Sequence, residues 1–113
     1  MEILNRAISR ADLAVIAEDL FGDMVKAVAD VAKGRLAIDA ELHSDLEQLL
    51  LQDGSQQQNL WGINLYPEAN GEDFIEFDSL INIRPRQNNR SRDVESPDTR
   101  DEIRKIVDKY ISK

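Results

Sequence analysis

Val25-Lys26-Ala27-Val28-Ala29-Asp30-Val31-Ala32-Lys33-Gly34-Arg35-Leu36-Ala37-Ile38-Asp39-Ala40-Glu41-Leu42 reads either as one alanine-rich helix or as a β-hairpin, and the fold class turns on which. Spacing favours the hairpin. Val25, Ala27, Ala29 and Val31 alternate with Lys26, Val28 and Asp30; past Lys33-Gly34, Leu36, Ile38, Ala40 and Leu42 alternate with Arg35, Ala37, Asp39 and Glu41. A period of two on both sides of a glycine turn predicts two antiparallel strands. The alanines keep a continuous helix as the alternative.

Working outward, the flanking segments switch to helical spacing. Upstream, Ser9 and Asp12 form a variant of the capping box, and Leu13, Ile16, Ala17, Leu20 and Phe21 follow as an apolar stripe, which predicts a helix over 10–21 stopped by Gly22. Downstream, Ser44 and Glu47 have capping-box spacing, with Leu46, Leu49 and Leu50 behind them and Gly54 at the end. Leu60-Trp61-Gly62-Ile63-Asn64-Leu65-Tyr66 reads as a strand. A loop carrying Asn70-Gly71 leads into Ile75, Phe77, Ile81 and Ile83, which alternate with Glu76, Asp78, Asn82 and Arg84 as a second strand. Ser96-Pro97 then opens a final helix with Ile103, Ile106, Val107, Tyr110 and Ile111 on one face.

The order is therefore α-β-β-α-β-β-α, with a short first strand at Glu2 to Leu4. This predicts a single α+β domain over 1–113: two layers, a mainly antiparallel sheet of four to five strands, and three helices on one face. The other face would be open to water and carry Lys26, Asp30, Arg35, Asp39, Asn64, Glu76, Asp78, Asn82 and Arg84. Trp61 lies on the core phase and Tyr66 on the open one.

Bulk composition narrows the chemistry. The chain has 113 residues, 42% of them hydrophobic, which suits one domain with its own core. It has no cysteine, which removes disulfide scaffolds, thiol nucleophiles and thiolate metal sites. No run approaches the roughly 18 apolar residues of a membrane span, and the start lacks the basic and apolar regions of a secretion signal, so a cytoplasmic protein is expected. A net charge of −8 argues against duplex DNA and anionic membranes as partners. Walker, Rossmann, nucleophile-elbow and zincin motifs are all absent, so no cofactor is expected.

Two places remain where chemistry concentrates. His43, the only histidine, precedes the second helix, where backbone N–H groups and the helix dipole favour an anion. Proton transfer is one role for it; a surface histidine at a loop–helix junction is the other reading. His43, Asp45 and Glu47 do not share a helix face, so no metal site is expected. The second place is Arg84-Pro85-Arg86-Gln87-Asn88-Asn89-Arg90-Ser91-Arg92, which has four of the chain's 14 basic residues and no acid. Guanidinium forks with amide and hydroxyl donors nearby suit a phosphate or carboxylate. Arg84, Arg86, Asn89, Arg90 and Ser91 are thus candidate ligand contacts, with Asn82 and Asn64 on the adjoining sheet face. The competing reading pairs these arginines with the chain's own surplus acids.

At Glu41-Leu42-His43, Asp53-Gly54-Ser55, Leu60 to Pro67, Ser79 to Pro85 and Asn89-Arg90-Ser91, the chain resembles a family of short bacterial proteins grouped as a domain of unknown function. The resemblance covers most of the chain and implies a single bacterial domain. It brings no activity, cofactor or catalytic residue.

The leading expectation is a non-catalytic module that binds a small anion, a phosphate-bearing ligand or an acidic protein through the arginine loop. A small metal-independent hydrolase or nuclease-like enzyme using His43 and those arginines is the alternative. A regulatory interaction domain using the open sheet face is a third. Proximity of His43 to the arginines would favour the enzyme.

Overall fold

The alternating segment is a hairpin in the computed structural model, which describes residues Met1–Lys113. In chain order the elements are β1 (Glu2–Ile3), β2 (Ile8–Ser9), α1 (Arg10–Leu20), β3 (Val25–Asp30), β4 (Arg35–Ile38), α2 (His43–Gln52), β5 (Leu60–Leu65), β6 (Ile75–Glu76), α3 (Pro97–Tyr110) and β7 (Ile111–Ser112). Gly34, at φ +66°, supplies the left-handed turn between β3 and β4. Asp30 fixes its start: one carboxylate oxygen accepts the backbone N–H groups of Ala32 and Lys33, each at 3.0 Å. The other accepts the Ser55 hydroxyl at 2.5 Å, and Ser55 in turn accepts from Arg35, which ties the far end of α2 to the hairpin. These bonds make a fully buried carboxylate tolerable.

One sheet has the order β1-β4-β3-β5-β6, with every neighbouring pair antiparallel. A separate parallel pair, β2 with β7, joins the approach to α1 to the end of α3. The α+β class and the antiparallel five-stranded sheet are as the sequence predicts.

The helices, however, are not all on one face. Leu13 and Ala17 of α1 and Ile103, Ile106 and Val107 of α3 share one core cluster with Val25, Ala27, Ala29, Leu36, Ile38, Trp61, Ile63 and Leu65. Leu46 and Leu50 of α2 belong to a second, smaller cluster with Val28, Ala37, Ala40 and Leu60. Val28 and Ala37 alternate to the opposite side of β3 and β4, so α2 covers the reverse face and the molecule has three layers. The apolar residues among the nominally polar positions carried that signal. Ala37 and Ala40 are small enough to let a helix approach.

The expected second strand is also cut short. Pairing with β5 covers only Asn64↔Glu76 and Leu65↔Ile75. Continued, this register would set Asp78 opposite Gly62, but Asn82 takes that place. Its Oδ1 accepts the Gly62 N–H at 2.8 Å and its Nδ2 donates to the Gly62 carbonyl at 2.9 Å. Ser79 initiates the departure by accepting the Ile81 N–H, and a 3-10 turn follows at Leu80–Asn82. Phe77 still packs on the larger cluster, whereas Ile81 packs on the smaller one beside α2.

Candidate ligand-binding cleft

The expected capping box of α2 does not form. The helix starts two residues early, at His43 with Leu42 in the N-cap position, and no side chain caps it. The His43 ring is drawn inward instead, its Nε2 lying 2.8 Å from the Ile63 carbonyl oxygen of β5. Gly62 makes this approach possible. A β-carbon there would lie 3.2 Å from His43 Cδ2 and 2.5 Å from Ser79 Cβ. With His43 anchored in the first turn, the His43 and Ser44 backbone N–H groups have no acceptor in the chain, and only the Asp45 carboxylate, in the first turn, offsets the positive end of the helix.

That helix end overlooks a row of three side chains running across the sheet. Strand register places Lys26 of β3 against Asn64 of β5, and Asn64 against Glu76 of β6. These residues, His43 and Arg92 border a cleft of about 410 Å³. Lys26 makes no ion pair; its ammonium lies 5.1 Å from the centre of the Phe21 ring. Asn64 is 5% exposed. Its Nδ2 donates to Glu76 at 2.8 Å and to the Asp78 carbonyl at 3.3 Å, while Oδ1 has no donor. Glu76 also accepts the Tyr66 hydroxyl at 3.0 Å. Partial burial and the Glu76 carboxylate raise the Tyr66 pKa. Asp78 pairs with Arg92 at 2.6 Å across the mouth.

Burial lowers the pKa of His43 below its ordinary 6.5, and the Lys26 charge adds to this; the bond to Ile63, the Asn64 amide and Asp78 act the other way. The ring is therefore neutral at pH 7. A carbonyl partner requires Nε2 to carry the proton, so Nδ1 holds the lone pair. Met24, Leu42, Leu80 and Ile81 give the cleft an apolar flank, with Leu42 and Leu80 well exposed.

Most of the arginine loop is engaged elsewhere. Arg84 stacks over Trp61, 4.2 Å from the ring centre, and donates to the carbonyls of Leu60 at 2.6 Å and Gln57. Burial lowers its pKa, with Glu47 opposing. Asn89 is buried and donates to the Asn82, Ser91 and Asp93 carbonyls while accepting the Glu95 N–H. The backbone N–H groups of Arg90 and Ser91 and the Ser91 hydroxyl do form an oxyanion nest. It holds the chain's own Glu95, whose pKa is lowered by the Ser91 hydroxyl and then by those N–H groups. Arg86 and the Arg90 guanidinium are exposed and make no ion pair, and Asn82 lies beneath the cleft rather than in it. Of the sequence candidates, the cleft brings together His43 and Asn64, and only Arg92 joins from the basic segment. Lys26, Glu76 and Asp78 were legible as open-face residues, but Leu42 and Ser79 carried no signal of their own.

The fold and the cleft thus define a small α+β domain with a polar recess between a helix N-terminus and a sheet face. The chain matches, over residues 2–110, the family described as "Protein of unknown function (DUF5674)", and it belongs to that family. No curated protein and no solved structure matches it. No helix is long and apolar enough to cross a membrane.

Proposed function

We propose that the protein is a non-catalytic binding module that takes a small polar ligand bearing an anionic group into the cleft at the N-terminus of α2. The observation carrying this reading is the convergence of unused hydrogen-bonding capacity on one place. The His43 and Ser44 N–H groups have no acceptor in the chain and the Lys26 ammonium has no carboxylate partner, and all three residues line the same recess. The anion would sit at the helix end, with Lys26 beside it and Arg92 at the mouth. A bacterial cytoplasm is part of this proposal, supported by the cysteine-free composition.

Titration with inorganic phosphate and simple carboxylates at low salt, followed by amide NMR, tests it. Shifts should centre on 42–45, Lys26 and the Asn64 side chain, and weaken in Lys26→Gln. Shifts confined to Arg86–Arg90 would move the site to the loop. A second reading, hydrolysis with His43 as base, is favoured by one feature: a neutral ring with its Nδ1 lone pair free, in the same cleft as Arg92. Turnover of a phosphate ester that disappears in His43→Gln would establish it.

A further inference from the structure

We propose a second ligand site, for a neutral sugar, in a hollow of about 610 Å³ beside Trp61. It shares no lining residue with the cleft at α2 and does not depend on it. Two 3-10 turns, Gln57–Asn59 and Pro85–Gln87, and the start of α3 wall it. The walls are tied together. Gln87 Nε2 donates to the Gln58 carbonyl at 2.9 Å, Arg84 donates to that of Gln57, and the Asn59 carbonyl accepts the Val31 N–H at 3.0 Å. Trp61, 7% exposed, lines the hollow. A buried tryptophan usually finds a partner for its indole N–H. Here Nε1 donates to nothing in the chain, yet it is not shut away. Four unpaired side-chain atoms are sealed from the surface, Arg35 Nε, Glu47 Oε2, Asn64 Oδ1 and Arg84 Nε, and the indole nitrogen is not among them. An unpaired donor on a side chain otherwise buried thus stays reachable where the hollow meets it, and it calls for an acceptor.

The rest of the lining sets the character of the ligand. The side chains of Asn59, Asn88 and Thr99 make no hydrogen bond within the chain, and Gln58 and Gln87 use only their amino ends, which leaves both carbonyl oxygens free. Each amide offers a donor and an acceptor side by side, and the hydroxyl offers both at once. The lining has no cation, and its one carboxylate, Glu95, is already held by the Arg90–Ser91 nest. An anion would find no counter-charge there and would meet Glu95. A cation would find only a carboxylate oxygen that already accepts three donors. The ligand is therefore neutral, and its groups both donate and accept, which describes hydroxyls. A nucleobase has no face to stack on, because the Arg84 guanidinium covers the Trp61 ring at 4.2 Å from its centre and little of the indole is exposed. A peptide finds no pocket for its side chains, since Val31 and Trp61 are the only apolar lining. Vicinal hydroxyls on a sugar suit paired amide groups, and the volume lies within the range of small-molecule sites, about 300–1,000 Å³.

Trp61 is the only tryptophan, so its indole N–H gives a single NMR cross-peak that reports on the hollow directly. The full chain is titrated with glucose, galactose, mannose, ribose and maltose, and with glucuronate, uridine and glycylglycine as charged, nucleobase and peptide probes. At least one neutral sugar should shift the indole peak and the Asn59 and Asn88 side-chain amides saturably, and leave 42–45 unmoved. Glucuronate should bind more weakly than glucose. Asn88→Gly removes one amide at a residue whose φ of +60° suits glycine, so the fold is kept while sugar affinity falls about twofold to tenfold. Thr99→Val, close in shape but without the hydroxyl, should act likewise. If no neutral sugar moves the indole peak, the proposal is overturned. It is equally overturned if uridine, glycylglycine or glucuronate binds better than every neutral sugar, or if sugar binding is untouched by both variants.

Discussion

The 79–95 loop and the cleft beside it are built from the same residue types, yet they differ in what their polar groups are doing. In the loop, Asn82 and Asn89 are buried with both ends of their amides bonded to backbone, and the oxyanion nest is filled by Glu95. Beside the cleft, Asn64 is nearly as buried but has an Oδ1 without a donor, and the neighbouring helix α2 has no side-chain cap. A side-chain amide that replaces missing strand pairing is a structural part. One that satisfies only half of itself contributes less to the fold. The arginine-rich segment drew attention by its composition, but its two asparagine amides and its oxyanion nest are satisfied within the chain, whereas the Asn64 amide is bonded only through Nδ2.

The largest effect that this contrast predicts is at Asn82. Asn82→Ala would leave the Gly62 N–H and carbonyl unpaired inside the protein, at about 2–5 kcal/mol in urea unfolding. A loss below about 0.5 kcal/mol would mean that water or backbone replaces the amide, and the loop would no longer count as the fixed region. Next is Gly62→Ala. Its new methyl would lie 2.5 Å from Ser79 Cβ, so about 1–3 kcal/mol is expected from overpacking. Combining it with Ser79→Gly should recover part of that loss, and a double-mutant cycle reads the coupling directly.

These positions also mark how far the sequence was legible. Period-two spacing around Gly34 identified β3 and β4 because both strands bury apolar residues on alternate sides of a well-ordered turn. The same spacing from Ile75 to Arg84 misled. A side-chain amide and a serine cap can end strand pairing without disturbing the alternation of apolar residues. Ser44 and Glu47 matched a capping box, but local pattern could not show that His43 would be pulled onto Ile63 from 20 residues away in the chain. His43 and Asn64 were both recognisable as chemistry-bearing. Their meeting was not, because it depends on α2 crossing to the reverse face, which only Val28 and Ala37 foretold.

A smaller effect is expected from pH. His43 resists protonation when folded, so between 6.5 and its depressed folded pKa the unfolded chain binds more protons. Stability should therefore fall as pH drops below 6.5 and level off once the folded ring also protonates. The difference between wild type and His43→Gln in thermal melts across that window isolates the contribution. A flat difference would mean that the Ile63 carbonyl, the Asn64 amide and Asp78 together balance burial, and a reversed slope that they outweigh it.

The smallest stability effect belongs to Asn64, and it decides whether the two regions truly differ. Asn64→Ala removes one donor group that serves Glu76 and the Asp78 carbonyl. Glu76 is exposed and keeps the Tyr66 hydroxyl, so it is not stranded. The same change removes the unpaired Oδ1, whose burial costs stability in the free protein. The two terms oppose each other, and the net loss should stay within about 1 kcal/mol. Ligand affinity should behave in the opposite way, because Asn64 lines the cleft and its Nδ2 holds Glu76 and the Asp78 backbone in place around it. Asn82→Ala should destabilise strongly and, in the fraction still folded, bind with near-normal affinity; Asn64→Ala should fold almost normally and bind poorly. Parallel urea titrations and calorimetry on the two variants give both numbers. If Asn64→Ala costs as much stability as Asn82→Ala, both asparagines are structural and the cleft loses its claim to be a site.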